Sequence, residues 1–234
     1  MTWVQTQFRS KESRIPTAVD VLLPEKRGEK LPVLYLLHDV GENQSYWIRR
    51  TQIEAMAEQY QTAVILPQGM NTFYMNTKNQ RQVQSFLSKE LPNLVEFWFG
   101  LRTDAESAAI AGRGMGGFGA AYSCLKHPET FGFAAAFLRK NPQEYYVRAE
   151  LAREEKVTPQ WIWGEQAEWE ALGLEAAFCE LQKQGKFLDW QSDEGSPNTS
   201  WESTCREEQS FLEQVLVHLQ KQAGIVGREE GERR

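Results

Sequence analysis

The chain has 234 residues, of which 41% are hydrophobic and 25% charged, a composition that suits one well-buried α/β domain and is short for two. A formal net charge of -6 and a pI near 5.3 argue against a nucleic-acid or anionic-membrane surface and favour a small or neutral ligand. No run of about 18 apolar residues occurs and the opening MTWVQTQFRSKESR lacks the apolar core of a signal peptide, so a cytoplasmic protein is expected.

In chain order, TWVQTQFRS and TAVDVLLP read as two β-strands, and LPVLYLLHD as a strand buried on both faces. YWIRRTQIEAMAEQY then predicts a helix lying over the sheet, and TAVILPQG another short strand closed by Pro67 and Gly69. VQSFLSKELPNLVEFWF predicts helix despite Pro92, which starts a second helix or kinks one. ESAAIAG is a strand, FGAAYSCLKH a helix, and FGFAAAF and PQWIWG two further strands separated by a polar helical stretch around PQEYYVRAELAREE. WEALGLEAAFCELQKQG and EEQSFLEQVLVHLQKQ are amphipathic helices flanking the strand KFLDWQ. Strand and helix signals alternate from residue 31 onward without a linker or repeat. The pattern predicts a single doubly wound domain over 1–223, its mostly parallel central sheet covered by helices on both faces, with an antiparallel edge from the first two strands. The charged residues 224–234 read as a frayed tail. Cys124, Cys179 and Cys205 are widely spaced with no C-x-x-C pair, so ordinary buried thiols are expected, and no metal or cofactor.

The stretch AIAGRGMGGFGAA, residues 109–121, runs from a strand through glycines into a helix. Gly112, Gly114 and Gly117 spell the G-x-G-x-x-G of a dinucleotide turn. Gly112 and Gly116 equally bracket position 114 as a nucleophile elbow, G-x-S-x-G, with glycine at the serine. A dinucleotide turn follows the first strand of its half and is followed about 20 residues later by an acid. Here several strands precede the turn, and the corresponding region reads AAAFLRKN, which has no acid but offers Arg139 to a 2′-phosphate. The elbow is the stronger reading, with NADP binding as a minor alternative.

The segment LPVLYLLHDVGENQSYWIRRTQIEAMAEQYQTAVILPQGMNTFYMN resembles the tributyrin-esterase and esterase D (S-formylglutathione hydrolase) branch of the α/β-hydrolases. The similarity continues through KELPNLVEFWF, the AGRGMGGFGAA turn and KHPETFGFAAAF, spanning residues 8–138 and, more loosely, the remainder. The resemblance implies an α/β-hydrolase fold and a serine nucleophile, an acid and a histidine in that chain order, with backbone N–H groups for the oxyanion. Position by position, the nucleophile falls on Gly114, which has no oxygen to attack with. In the family's acid loop, G-T-E-D, the aspartate falls on Ala167 of WGEQAEWE, with Glu165 and Glu168 nearby. The family's histidine, followed by a tryptophan and an acid, falls on Thr199 ahead of Trp201 and Glu202. The three histidines of the chain are His38, His127 and His218. His218 lies 19 residues beyond Thr199, roughly 28 Å away at about 1.5 Å per residue if helical, and reads as the edge of an amphipathic face. The oxyanion donors implied by the resemblance are the amides of Met115 and of residues after His38, including Val40. The family's glycine at that loop is Asp39 here, whose carboxylate opposes developing negative charge.

With nucleophile, acid and base all replaced, the resemblance implies an esterase-like protein that has lost its triad and binds a small molecule in the former acyl pocket, or a protein partner. The partner would be a second copy or an active relative. His38, Asp39, Val40 and Met115 are expected around that pocket. The alternative is a weak or non-standard hydrolase in which Glu165, Glu168, Asp39 and His38 activate water.

Overall fold

The computed structural model describes residues 1–25, 31–76, 81–138, 187–191 and 201–223. Seven strands form one sheet: β1 (Thr2–Arg9), β2 (Pro16–Leu23), β3 (Val33–Leu37), β4 (Ala63–Pro67), β5 (Ala108–Arg113), β6 (Phe133–Leu138) and β7 (Phe187–Gln191), in the order β1-β2-β4-β3-β5-β6-β7. β1 pairs antiparallel with β2 and β2 antiparallel with β4, while β4, β3, β5, β6 and β7 run parallel. The expected antiparallel edge is therefore present. β3, β4, β5 and β6 consist largely of buried apolar residues, mostly Val, Leu, Ile and Ala, as a sheet covered on both faces requires.

Alternation along the strands divides the core into two layers. Tyr35, Ile65 and Ile110 face one layer with Phe86, Leu91, Val95 and Phe118; Leu34, Val64 and Ala111 face the other with Trp47, Met56, Phe211 and Val215. The first layer is supplied by α3 (Val83–Ser85), a π-turn (Phe86–Glu90), α4 (Leu91–Phe99) and α5 (Met115–Lys126). The second is supplied by α1 (Tyr46–Arg50), α2 (Ile53–Gln59) and α6 (Trp201–Gln222). Each fully buried Leu or Phe in these layers contributes roughly 1.5–3 kcal/mol.

Two helical readings are refined. The helix predicted across YWIRRTQIEAMAEQY is two helices, because Thr51 is extended (φ -132°, ψ 174°) and its hydroxyl donates to the Trp47 carbonyl at 2.6 Å. That side-chain bond competes with continuation of the helix. Pro92 does not end its helix: the Leu91 amide bonds back to the Phe86 carbonyl, and the π-turn brings proline into the first turn of α4, where its missing N–H is tolerated. The strand predicted at PQWIWG, the helices predicted around PQEYYVRAELAREE and WEALGLEAAFCELQKQG, and the tail lie outside the described residues. No helix among the described residues is long and apolar enough to cross a membrane.

Candidate functional site

The parallel register of β3 and β5 pairs Leu37 with Gly112 at their carboxyl ends. Two residues further on, Asp39 and Gly114 leave the sheet side by side, at the edge where open α/β sheets place their ligands. Gly114 adopts φ 55°, ψ -118° and is the N-cap residue of α5. Its amide donates to the Phe137 carbonyl at 2.9 Å, and its carbonyl accepts from Phe118 at 3.0 Å. A positive φ is strained for a residue with a Cβ and nearly free for glycine. The flanking glycine Gly116 is demanded by contact instead, because a Cβ there would overlap the Leu37 carbonyl of β3.

The space above Gly114 is occupied. A Cβ added at 114 would run into the carboxylate of Asp39. The same carboxylate accepts through Oδ1 from the Val40 amide at 2.7 Å and from the Met115 amide at 3.0 Å. Met115 is the first residue of α5, so the carboxylate lies at the positive end of a helix dipole, where an anion is stabilised. Asp39, Val40 and Met115, three residues predicted around the pocket, thus converge on one point, and the aspartate fills it. Met115 and Asp39 are buried and Val40 half-buried.

His38, expected to line the pocket, is buried at 1% exposure. Its Nε2 accepts from the Gly69 amide at 2.9 Å, which leaves the proton on Nδ1 to donate to the Asp39 carbonyl at 2.8 Å. Burial lowers its pKa to about 4, against smaller raising effects of the Asp39 carbonyl and Glu42, so the ring is neutral at pH 7. His127 contacts Glu129 through Nδ1 at 3.1 Å at the end of α5. His218 stacks on Phe133, with ring centroids 3.9 Å apart, on the core side of α6. Ala167, Thr199, Glu165 and Glu168 lie outside the described residues, and Trp201 and Glu202 open α6.

Two groups beside the site were not anticipated. Tyr74 lies fully buried with its hydroxyl accepting from the His38 amide at 3.0 Å, and burial raises its pKa well above the usual phenol value. It closes a turn in which Met70, Phe73 and Tyr74 all have positive φ. Arg113, next to Gly114, turns toward the second layer. Its Nη1 donates to Glu208 of α6 at 2.5 Å and to the Tyr46 hydroxyl, while Tyr46 donates to Glu208 at 2.6 Å and Arg50 pairs with it at 2.8 Å. Burial works against the charge on Arg113, but Tyr46, Glu208 and Asp39 outweigh it and raise its pKa above the usual guanidinium value. A charged residue ending the apolar run AAIAGR was the one sequence signal of this network. Cys124 is buried with its thiol donating to the Phe131 carbonyl at 3.3 Å, and Cys205 is half-buried. Among the described residues no group of His, Cys, Asp and Glu could hold a metal ion.

Residues 10–223 match the model of the family described as "Putative esterase". A curated relative, an acetyl esterase of Caldicellulosiruptor saccharolyticus, is 29% identical over 142 residues, 56% of this chain and 53% of the relative, so the match spans about half of that protein. Among solved structures, a ferulic acid esterase superposes with a TM-score of 0.68 at 19% identity, covering 94% of this chain and 98% of that one. The S-formylglutathione hydrolase of Staphylococcus aureus superposes with a TM-score of 0.66 at 16% identity, covering 93% and 98%. The fold is that of the α/β-hydrolases, and the chain belongs to this esterase family.

Proposed function

We propose that this member of the esterase family is a binding protein that does not carry out acyl transfer at its elbow. The observation that carries the reading is the Asp39 carboxylate, which takes both the side-chain space of residue 114 and the two amides that an esterase of this fold would offer to a tetrahedral oxyanion. Gly114 supplies no nucleophile, and a neutral His38 with both ring nitrogens engaged is no base for one. Ala167 and Thr199, at the family's acid and base positions, carry neither function. The relatives described as acetyl esterase and S-formylglutathione hydrolase make a short acyl compound or a thiol conjugate the ligand class to try first.

The same occupancy weighs against NADP binding, since a phosphate at the start of α5 would meet a carboxylate already held there. The reading is tested with purified protein on a panel of short-chain p-nitrophenyl esters and thioesters, followed by the fluorescence of its eight tryptophans on titration with acetate, butyrate and S-methylglutathione. Absence of turnover together with saturable quenching is the expected result. Turnover of any ester above the uncatalysed rate that survives repurification and disappears in Asp39→Ala would replace this reading with a non-standard hydrolase.

A further inference from the structure

The two oxygens of the Asp39 carboxylate are placed for different work. Oδ1 accepts from the Val40 amide at 2.7 Å and from the Met115 amide at 3.0 Å. Oδ2 lies 2.5 Å from where a Cβ on Gly114 would stand, so the carboxylate brings an oxygen to the place of the missing nucleophile side chain. The group is shielded from water: Asp39 is 7% exposed, while Met115 beside it and Tyr74, whose hydroxyl meets the His38 backbone, are fully buried. The two amides and the start of α5 favour its anionic form there. A shielded carboxylate has little hydration to shed before a lone pair attacks, and carboxylates do serve as covalent nucleophiles.

What this carboxylate can attack follows from where charge develops. Attack on an ester carbonyl leaves a tetrahedral oxyanion on the substrate, and the two amides that would stabilise it are already held by Asp39 itself. Displacement at a saturated carbon makes no such demand, because the negative charge departs with the leaving group. The substrate class is therefore alkyl rather than acyl. The buried, apolar side chains beside the carboxylate further select an uncharged reactant, since a charged one would lose its hydration on entry.

We propose that Asp39 is a nucleophile toward uncharged primary alkyl halides. A lone pair of Oδ2 forms the new C–O bond as the carbon–halogen bond breaks. Halide leaves with that bond's electron pair, and Asp39 becomes a neutral alkyl ester with Oδ1 as its carbonyl oxygen. Release consumes one water, which adds to Cγ and places an oxyanion on Oδ1, where the Val40 and Met115 amides hold it. The alcohol then departs with one proton of that water, and the other goes to solvent as the carboxylate is regenerated. This second step has no imidazole to assist it: His38 accepts at Nε2 and donates at Nδ1, and Thr199 stands where the family carries its histidine. The aspartyl ester therefore accumulates. This activity goes beyond the ligand binding proposed above, which tryptophan quenching reads without any alkylating agent.

The test incubates the full chain with 1-iodobutane at pH 7 after its thiols have been blocked with methyl methanethiosulfonate. Released iodide is followed by electrode, and butylated residues are located by peptide mass spectrometry. The wild type is expected to release one iodide per chain and to carry butyl on Asp39, with the exposed Glu54 and Glu106 unmodified. Asp39→Asn, which keeps the shape of the side chain, is expected to release no iodide, and the wild type unfolded in urea to lose the preference for residue 39. In water enriched in heavy oxygen, slow release of the ester is expected to leave the label in Asp39 and not in the butanol. An unmodified Asp39, modification of Glu54 and Glu106 to the same extent, iodide release by Asp39→Asn equal to the wild type, or label found in the butanol would each overturn the proposal.

Discussion

The carboxylate of Asp39 lies where a side chain on Gly114 would begin, and the Val40 and Met115 amides hold it there. The two residues are therefore coupled. Gly114→Ser introduces positive-φ strain of about 1–3 kcal/mol and a steric conflict with Asp39, and should lower the melting temperature without creating esterase activity. Asp39→Gly alone loses the two amide bonds. In the double variant the serine has room, so its destabilisation in urea should fall short of the sum of the single effects by about 1 kcal/mol or more. Additivity within about 0.5 kcal/mol, or hydrolysis of a p-nitrophenyl ester by Gly114→Ser, would contradict the geometry.

Acid should weaken the fold through His38. Above its unfolded value of 6.5 the ring is neutral in both states and contributes nothing to the pH dependence. Between pH 6.5 and about 4 the unfolded chain takes up a proton that the folded chain refuses, so stability falls as pH falls, by up to about 3 kcal/mol over that window. Urea unfolding at pH 7 and pH 4.5 should show this loss in the wild type and a smaller one in His38→Gln. Equal losses in the two proteins would remove His38 as the cause.

Tyr74→Phe deletes the acceptor of the buried His38 amide. An unsatisfied buried donor costs about 1–3 kcal/mol, and since this amide begins the turn that carries Asp39, the effect should appear in local hydrogen exchange as well as in global stability. Faster exchange of the His38 and Val40 amides is the readout; unchanged protection of both would show that the hydroxyl is dispensable there.

Glu208→Gln should be among the most damaging single changes in the described part of the chain. It leaves Arg113 and Arg50 buried with no carboxylate between them, a loss of about 3–5 kcal/mol when one partner of a buried pair is removed. Glu207→Gln, at the preceding position of the same helix, should cost little. A midpoint shift of similar size in both variants would argue against the network.

The apolar runs made β1 to β6 and α5 legible in the sequence, and the glycine spelling of 112–117 placed an elbow between β5 and α5. Local chemistry was sufficient, because strand alternation and turn glycines act over a few residues. The split between α1 and α2 was less legible, since a single Thr51 hydroxyl bonding to Trp47 decides it. The absence of a nucleophile oxygen at 114 and of any histidine between 128 and 217 was likewise determined by the sequence alone. What the tertiary structure decided is where Asp39 goes. The sequence marked it as an unfavourable neighbour of an oxyanion site. The register that pairs Leu37 with Gly112 turned it into the occupant of that site, across 75 residues of chain (114 − 39). Arg113 and Glu208 meet across 95 residues in the same way. Such pairings depend on which strands lie side by side and on how two helices pack over them, and no local pattern of residues encodes either.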